Sequence, residues 1–88
     1  MDVERLWAEG QRLYGQGRWH EAAQIFEQLH RLNPAHPFPL HMLGLIAGRQ
    51  GRNHQALDLL AHAAAASGHP AIQTDFANAL RLTWIPAR

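Results

Sequence analysis

Histidine is the residue through which this chain would act chemically if it acted at all. His20, His30, His36, His41, His54, His62 and His69 are spread along it, and there is no cysteine to supply a thiolate nucleophile, a thiolate metal ligand or a disulfide. A helix that grips a metal sets two histidines one turn apart at i, i+4, as in HExxH. None of the seven stands at that spacing. His20 and His54 recur 34 residues apart and His36 and His69 recur 33 apart, which is recurrence along the chain rather than a cluster. Glu21 follows His20, but adjacent helical positions diverge, so the two make no acid/base dyad. No GxSxG, Walker-type loop or GxGxxG is present, and Gly15-Gln16-Gly17 reads as a helix stop. The expectation is a protein with no catalytic residues, no metal and no cofactor. A histidine metal or pH-responsive module is the rival that zinc or mild acid would expose through a shifted melting temperature.

Charge and hydropathy narrow the partners. All eight basic residues are Arg, and seven acidic residues bring the net charge to +1. The arginines stand scattered beside Glu and Asp, whereas nucleic-acid binding rests on clustered cations that neutralise phosphates. No nucleic-acid partner is expected. Apolar content of 47% is too high for a disordered chain. No uninterrupted apolar run approaches the roughly 20 residues of a membrane span, so no membrane partner is expected either. Met1-Asp2-Val3-Glu4-Arg5 has neither a basic start nor an apolar stretch after it, and a cytoplasmic location is the expectation. A domain this small buries only about 60% of its unfolded surface, which leaves room for stabilisation by neighbouring units or partner chains.

The elements that would position these side chains follow from an internal repeat. Set against itself at an offset of 34, the sequence aligns Leu6 with Leu40, Gly10 with Gly44, Gln16 with Gln50, Gly17 with Gly51, Arg18 with Arg52, His20 with His54 and Ala22 with Ala56. Composition alone would give roughly one or two such identities over that stretch. Apolar residues at spacings of three and four predict helices over 2–16 and 19–32, a third beginning near Pro37 to Pro39 and running to Gly48 and Gly51, a fourth capped by Asn53, and a fifth over 71–83. Asp2 should cap the first, Gly15 and Gly17 stop it, and Asn33-Pro34 end the second. Gly10 lies inside a helix, at a cost of up to about 1 kcal/mol relative to Ala. Its compensation is close approach by Ala22 and Phe26 of the second helix. Aligning Phe76-Ala77 with Leu43-Gly44 needs an offset of 33, which also superposes Pro70 on Pro37.

A 34-residue period with Leu6, Gly10, Leu13, Ala22, Phe26 and Pro34, followed by Leu40, Leu43, Gly44, Ala56 and Leu60, resembles the tetratricopeptide repeat (TPR) family. The chain departs from that pattern at Glu9, where Leu is usual, at Leu13 and Ala47 for Tyr, and at Gly68 for the closing Pro. The resemblance implies an all-α, right-handed α-solenoid of about two and a half repeats. Repeat one spans 3–36, repeat two 37–69, and a half repeat or capping helix 70–85.

It also implies a function, a non-enzymatic protein-protein interaction or self-assembly module. The first helix of each hairpin would line a concave groove. Trp7, Gln11, Tyr14, Phe38, His41, Met42, Leu45, Asn78 and Arg81 would then meet a peptide or partner helix. With no Lys in the chain, and Trp7, Gln11 and Met42 at the matching positions, a grip on a peptide's terminal carboxylate is not expected. The fifth helix lacks a partner helix, so Ile72, Phe76, Leu80, Trp84 and Ile85 would form a self-association face and a possible homodimer. The alternative is an N-terminal TPR segment of a larger bacterial enzyme, glycosyltransferase- or sulfotransferase-like, used for docking or dimerisation.

Overall fold

The computed structural model describes residues 2–83, apart from the side chains of residues 82 and 83. Among the described residues there are five α-helices and no strand: α1 (Val3–Gly15), α2 (Trp19–Leu32), α3 (Pro37–Arg49), α4 (Asn53–Ala66) and α5 (Pro70–Thr83). None of these helices is long and apolar enough to cross a membrane.

The repeated residues are those that turn the chain between helices. Gly17 and Gly51 take φ of 73° and 80°, the left-handed region that glycine enters without a Cβ clash. In the first turn Arg18 N donates to Leu13 O at 3.0 Å and Gly17 N to Tyr14 O at 3.1 Å. In the second, Arg52 N donates to Ala47 O at 2.9 Å and Gly51 N to Gly48 O at 3.1 Å. This paired closure is the Schellman motif, which satisfies the last carbonyls of a helix. The same arginines open the next helix, because Arg18 O accepts from Ala22 N and Arg52 O from Ala56 N, both at 2.9 Å.

That economy corrects one expectation. Asn53 does not cap α4; it is already the first helical residue, and Arg52 holds the N-cap position with no side-chain cap bond. Asp2 does cap α1, its Oδ1 accepting from Arg5 N at 3.2 Å. α5 begins at Pro70, one residue before the expected start, because proline presets a helical φ where no N–H is needed. Pro37 and Pro70 open α3 and α5 alike, and each is preceded by an imidazole acceptor: Phe38 N donates to His36 Nδ1 and Ala71 N to His69 Nδ1, both at 3.2 Å.

Each helix packs on its chain neighbours, and α3 also meets α5. The trace measures 51 × 26 × 19 Å, an elongated body with α3 in its middle. Covered from several sides, α3 carries buried residues all round, Pro39, His41, Gly44, Ile46 and Ala47, and has no single polar face. One core joins Leu13, Ala22, Phe26, Leu29 and Ile46. Ala47, Ala56, Leu60, Ala63 and Ile72 are buried as well. The hairpins close at their glycines: a Cβ on Gly10 would stand 2.8 Å from Phe26 Cζ, and one on Gly44 would stand 2.7 Å from Leu60 Cγ. The α4–α5 turn is held by Gln73, whose Nε2 donates to Ala64 O and Ser67 O at 2.9 Å each, satisfying carbonyls at the end of α4.

On α5 the expected association face is smaller than the sequence suggested. Ile72 is 0% exposed, consumed where α5 packs on α4 and α3, and so belongs to the chain's own core. Phe76 is half-buried and Leu80 is 43% exposed. Trp84 and Ile85 lie outside the described residues.

Candidate functional site

Two clefts open along α1 and α3. The first, about 330 Å³, is lined by Trp7 and Gln11 of α1 and by His36, Phe38 and Met42 at the start of α3. The second, about 270 Å³, lies further along the same helices. It runs from Tyr14 across Gly44, Leu45, Gly48 and Arg49 to Asn53, Ala56 and Leu60 of α4 and Asp75, Asn78 and Ala79 of α5. Eight of the nine expected groove residues line these clefts or stand beside them. Trp7, Gln11, Phe38 and Met42 share one cleft and Tyr14, Leu45 and Asn78 the other. Arg81 Nη2 donates to Asn78 Oδ1 at 3.3 Å.

His41 is the exception. It is only 7% exposed, and its Nε2 donates to Asp75 Oδ2 at 2.7 Å, the one direction open to a carboxylate acceptor. The reason is topological. Asp75 stands on α5 where α3 and α5 meet, and its carboxylate reaches the imidazole there. A buried imidazole without that acceptor would be costly, so the pair fastens α5 to α3. His41 is therefore a structural residue rather than a free contact of the groove.

Rings, rather than charges, shape the first cleft. Trp7 meets Phe26 edge-on at 5.5 Å and lies 5.9 Å from His36. His36 lies 5.5 Å from Phe38, and Phe38 meets His69 at 5.3 Å. Each contact falls within the 4.5–7 Å range of favourable aromatic pairs. Trp7 is thereby seated between the core and the open face, and Phe38 between two capping imidazoles. His36 and His69, which the sequence marked only as recurrent, thus brace the ring ladder and cap α3 and α5. Among the described residues no three His, Asp or Glu side chains lie close enough to share a metal ion.

Among the lining residues that the sequence did not place in the groove are Asp75, Arg49 and Gly48. Asp75 carried no signal of its bond to His41, since at the offset of 33 that relates α5 to α3 it aligns with Met42 rather than His41. Arg49 and Gly48 were equally silent, since Arg49 closes a helix and Gly48 reads as part of its stop. Chemically, the two linings offer half-buried rings, a thioether, amides, the Arg49 guanidinium and the Asp75 carboxylate. No protein-family model matches this chain, and comparison with curated proteins finds no significant match.

Proposed function

We propose that this chain is a right-handed α-solenoid of about two and a half TPR-like repeats, acting as a non-enzymatic protein-binding module. An apolar or amphipathic peptide, or a partner helix, would lie across the face formed by α1, α3 and α5. The observation that carries the reading is the Trp7–Gln11–His36–Phe38–Met42 cleft, about 330 Å³, with aromatic and thioether side chains left half-buried on a surface. Rigid rings held by their neighbours offer large contact area with little ordering cost, and Met adapts to irregular apolar surfaces. Repetition of the turn chemistry at Gly17 and Gly51, and of the close approach at Gly10 and Gly44, supports the repeat architecture.

Selection of displayed random peptides against the chain tests this reading. Enriched peptides should lose affinity about tenfold or more in Phe38→Ala and Met42→Ala, the loss expected when a central anchor is truncated. Enriched peptides indifferent to both substitutions would overturn it.

Self-association through α5 is the second reading, favoured by Leu80, 43% exposed, beside the half-buried Phe76. Light scattering over a wide concentration range should then show a dimer that Phe76→Glu dissolves, and a monomer at every concentration would exclude it.

A further inference from the structure

We propose that the second cleft of the α1–α3–α5 face is a subsite for one acidic side chain, Asp or Glu, of a partner peptide, with Arg49 as its counter-ion. The inference rests on the peptide-binding reading above and adds what that face would select. Gly48, Ala56 and Ala79 of the lining carry nothing beyond a Cβ, which leaves room for an incoming side chain, while Leu60 fills the space beside Gly44.

Its rim carries the charge. Among the described residues the ion pairs are Arg12 with Glu9, Arg18 with Glu21 and His41 with Asp75, which leaves Arg49 without a carboxylate. The Arg49 guanidinium lies over Trp19, 6.0 Å from the ring centroid, and Tyr14 meets that ring edge-on at 5.2 Å. A guanidinium near a ring face within about 6 Å is attracted by the ring quadrupole and keeps N–H donors that a carboxylate can match.

Two features around Arg49 act in the same direction. Asn78 Oδ1 is engaged by Arg81, which leaves the Asn78 amide nitrogen as a donor and adds a second cation beside the cleft. α4 enters the lining at Asn53 with no side-chain cap on its first turn, so its first amides present the positive end of the helix dipole. Asp75, the one carboxylate of the lining, already accepts from His41. A basic side chain would meet Arg49 and Arg81, and a purely apolar one would bury their charge unpaired.

The test uses the 15N-labelled chain and short blocked amphipathic peptides that differ only at a central Glu, Gln or Lys. The Glu peptide should move the amide resonances of Gly44, Gly48, Arg49 and Asn78 and bind about fivefold tighter than the Gln peptide at low salt. High salt should shrink that preference. Arg49→Gln should abolish it with the fold retained by circular dichroism. Asp75→Asn, which keeps an acceptor for His41, should increase it. Equal affinities for Glu and Gln, a preference for Lys, or a Glu preference that survives Arg49→Gln would each overturn the proposal. Peptides that shift Trp7, Phe38 and Met42 but leave Gly44 to Arg49 unmoved would sink the acidic subsite while the peptide groove stands. Peptides that move neither set would remove both.

Discussion

Two glycines one turn apart on α3 should respond to the same substitution with opposite sign. In a helix interior, Gly→Ala is expected to stabilise by up to about 1 kcal/mol, because the backbone of Ala loses less entropy on folding. At Gly48 the new methyl would meet only Ala56 Cβ at 3.9 Å, an ordinary contact, so Gly48→Ala should stabilise by about 0.5 kcal/mol, the full gain being reduced by its place near the helix end. At Gly44 the methyl would stand 2.7 Å from Leu60 Cγ, 2.9 Å from Leu60 Cδ2 and 3.3 Å from the Ala56 carbonyl oxygen. Carbon atoms sit comfortably at about 3.5–4.0 Å, so roughly 1 Å must be opened. Leu60 is 3% exposed and cannot swing into solvent to make room. Overpacking of this kind costs about 1–3 kcal/mol, which outweighs the propensity gain and leaves a net loss of about 1 kcal/mol. In a domain of this size that corresponds to a fall in Tm of about 4–8 °C. Urea or thermal denaturation followed by circular dichroism reads both variants. In a Leu60→Ala background Gly44→Ala should cease to destabilise, because the obstructing branch is gone, and the difference is the coupling energy of a double-mutant cycle. Equal stabilisation by Gly44→Ala and Gly48→Ala would refute the close-packed hairpin.

Gly51→Ala should cost about 1–2 kcal/mol through its positive φ alone, since a methyl there meets nothing within 4 Å; a silent variant by denaturation would mean the turn is not left-handed. Asp75→Ala should destabilise by about 1–3 kcal/mol by leaving the buried His41 nitrogen without its acceptor, whereas Asp75→Asn should largely retain stability in the same melts. Hydrogen bonding from Arg12 to Glu9, at 2.6 Å from Nη2, holds the Glu9 carboxyl below its ordinary value of 4.5. The Glu9 contribution is therefore present above that ordinary value and lost as pH falls through the lowered one. A carboxyl NMR titration should find the midpoint lowered and Arg12→Ala should return it. Arg18→Ala should change stability by less than about 0.5 kcal/mol, because its pair with Glu21 is half exposed on both sides.

What could be read in the sequence was what repeats. The offset of 34 exposed Gly17 and Gly51, Gly10 and Gly44, and Ala22 and Ala56, because a left-handed turn and a close helix crossing each tolerate few residue types. Apolar periodicity then placed the five helices to within about a residue or two at their ends. The failures have a common origin in tertiary context. Asn53 has the chemistry of a cap, but the Schellman closure at Gly51 and Arg52 leads straight into α4 and gives the cap position to Arg52. His41 is polar and stands on a first helix, so the resemblance to the TPR family assigned it to the groove; only the packing of α5 on α3 brings Asp75 to it. Ile72 reads as surplus apolar surface until α4 and α3 cover it. Arg49 gains its place in the second cleft from Trp19 and Tyr14, which lie 30 and 35 positions earlier in the chain.

Peptide binding by this chain is tested most directly by comparing two of its clefts with one peptide. A peptide enriched against the chain is titrated into Phe38→Ala, from the cleft between α1 and α3, and into Leu59→Ala, from the smaller cleft on the α2–α4 side lined by Ala23, Glu27, Leu43 and Gln55. Phe38→Ala should weaken binding about tenfold or more, and Leu59→Ala should stay within about twofold. The reverse ranking would contradict binding at the cleft between α1 and α3 and move the binding surface to the α2–α4 side.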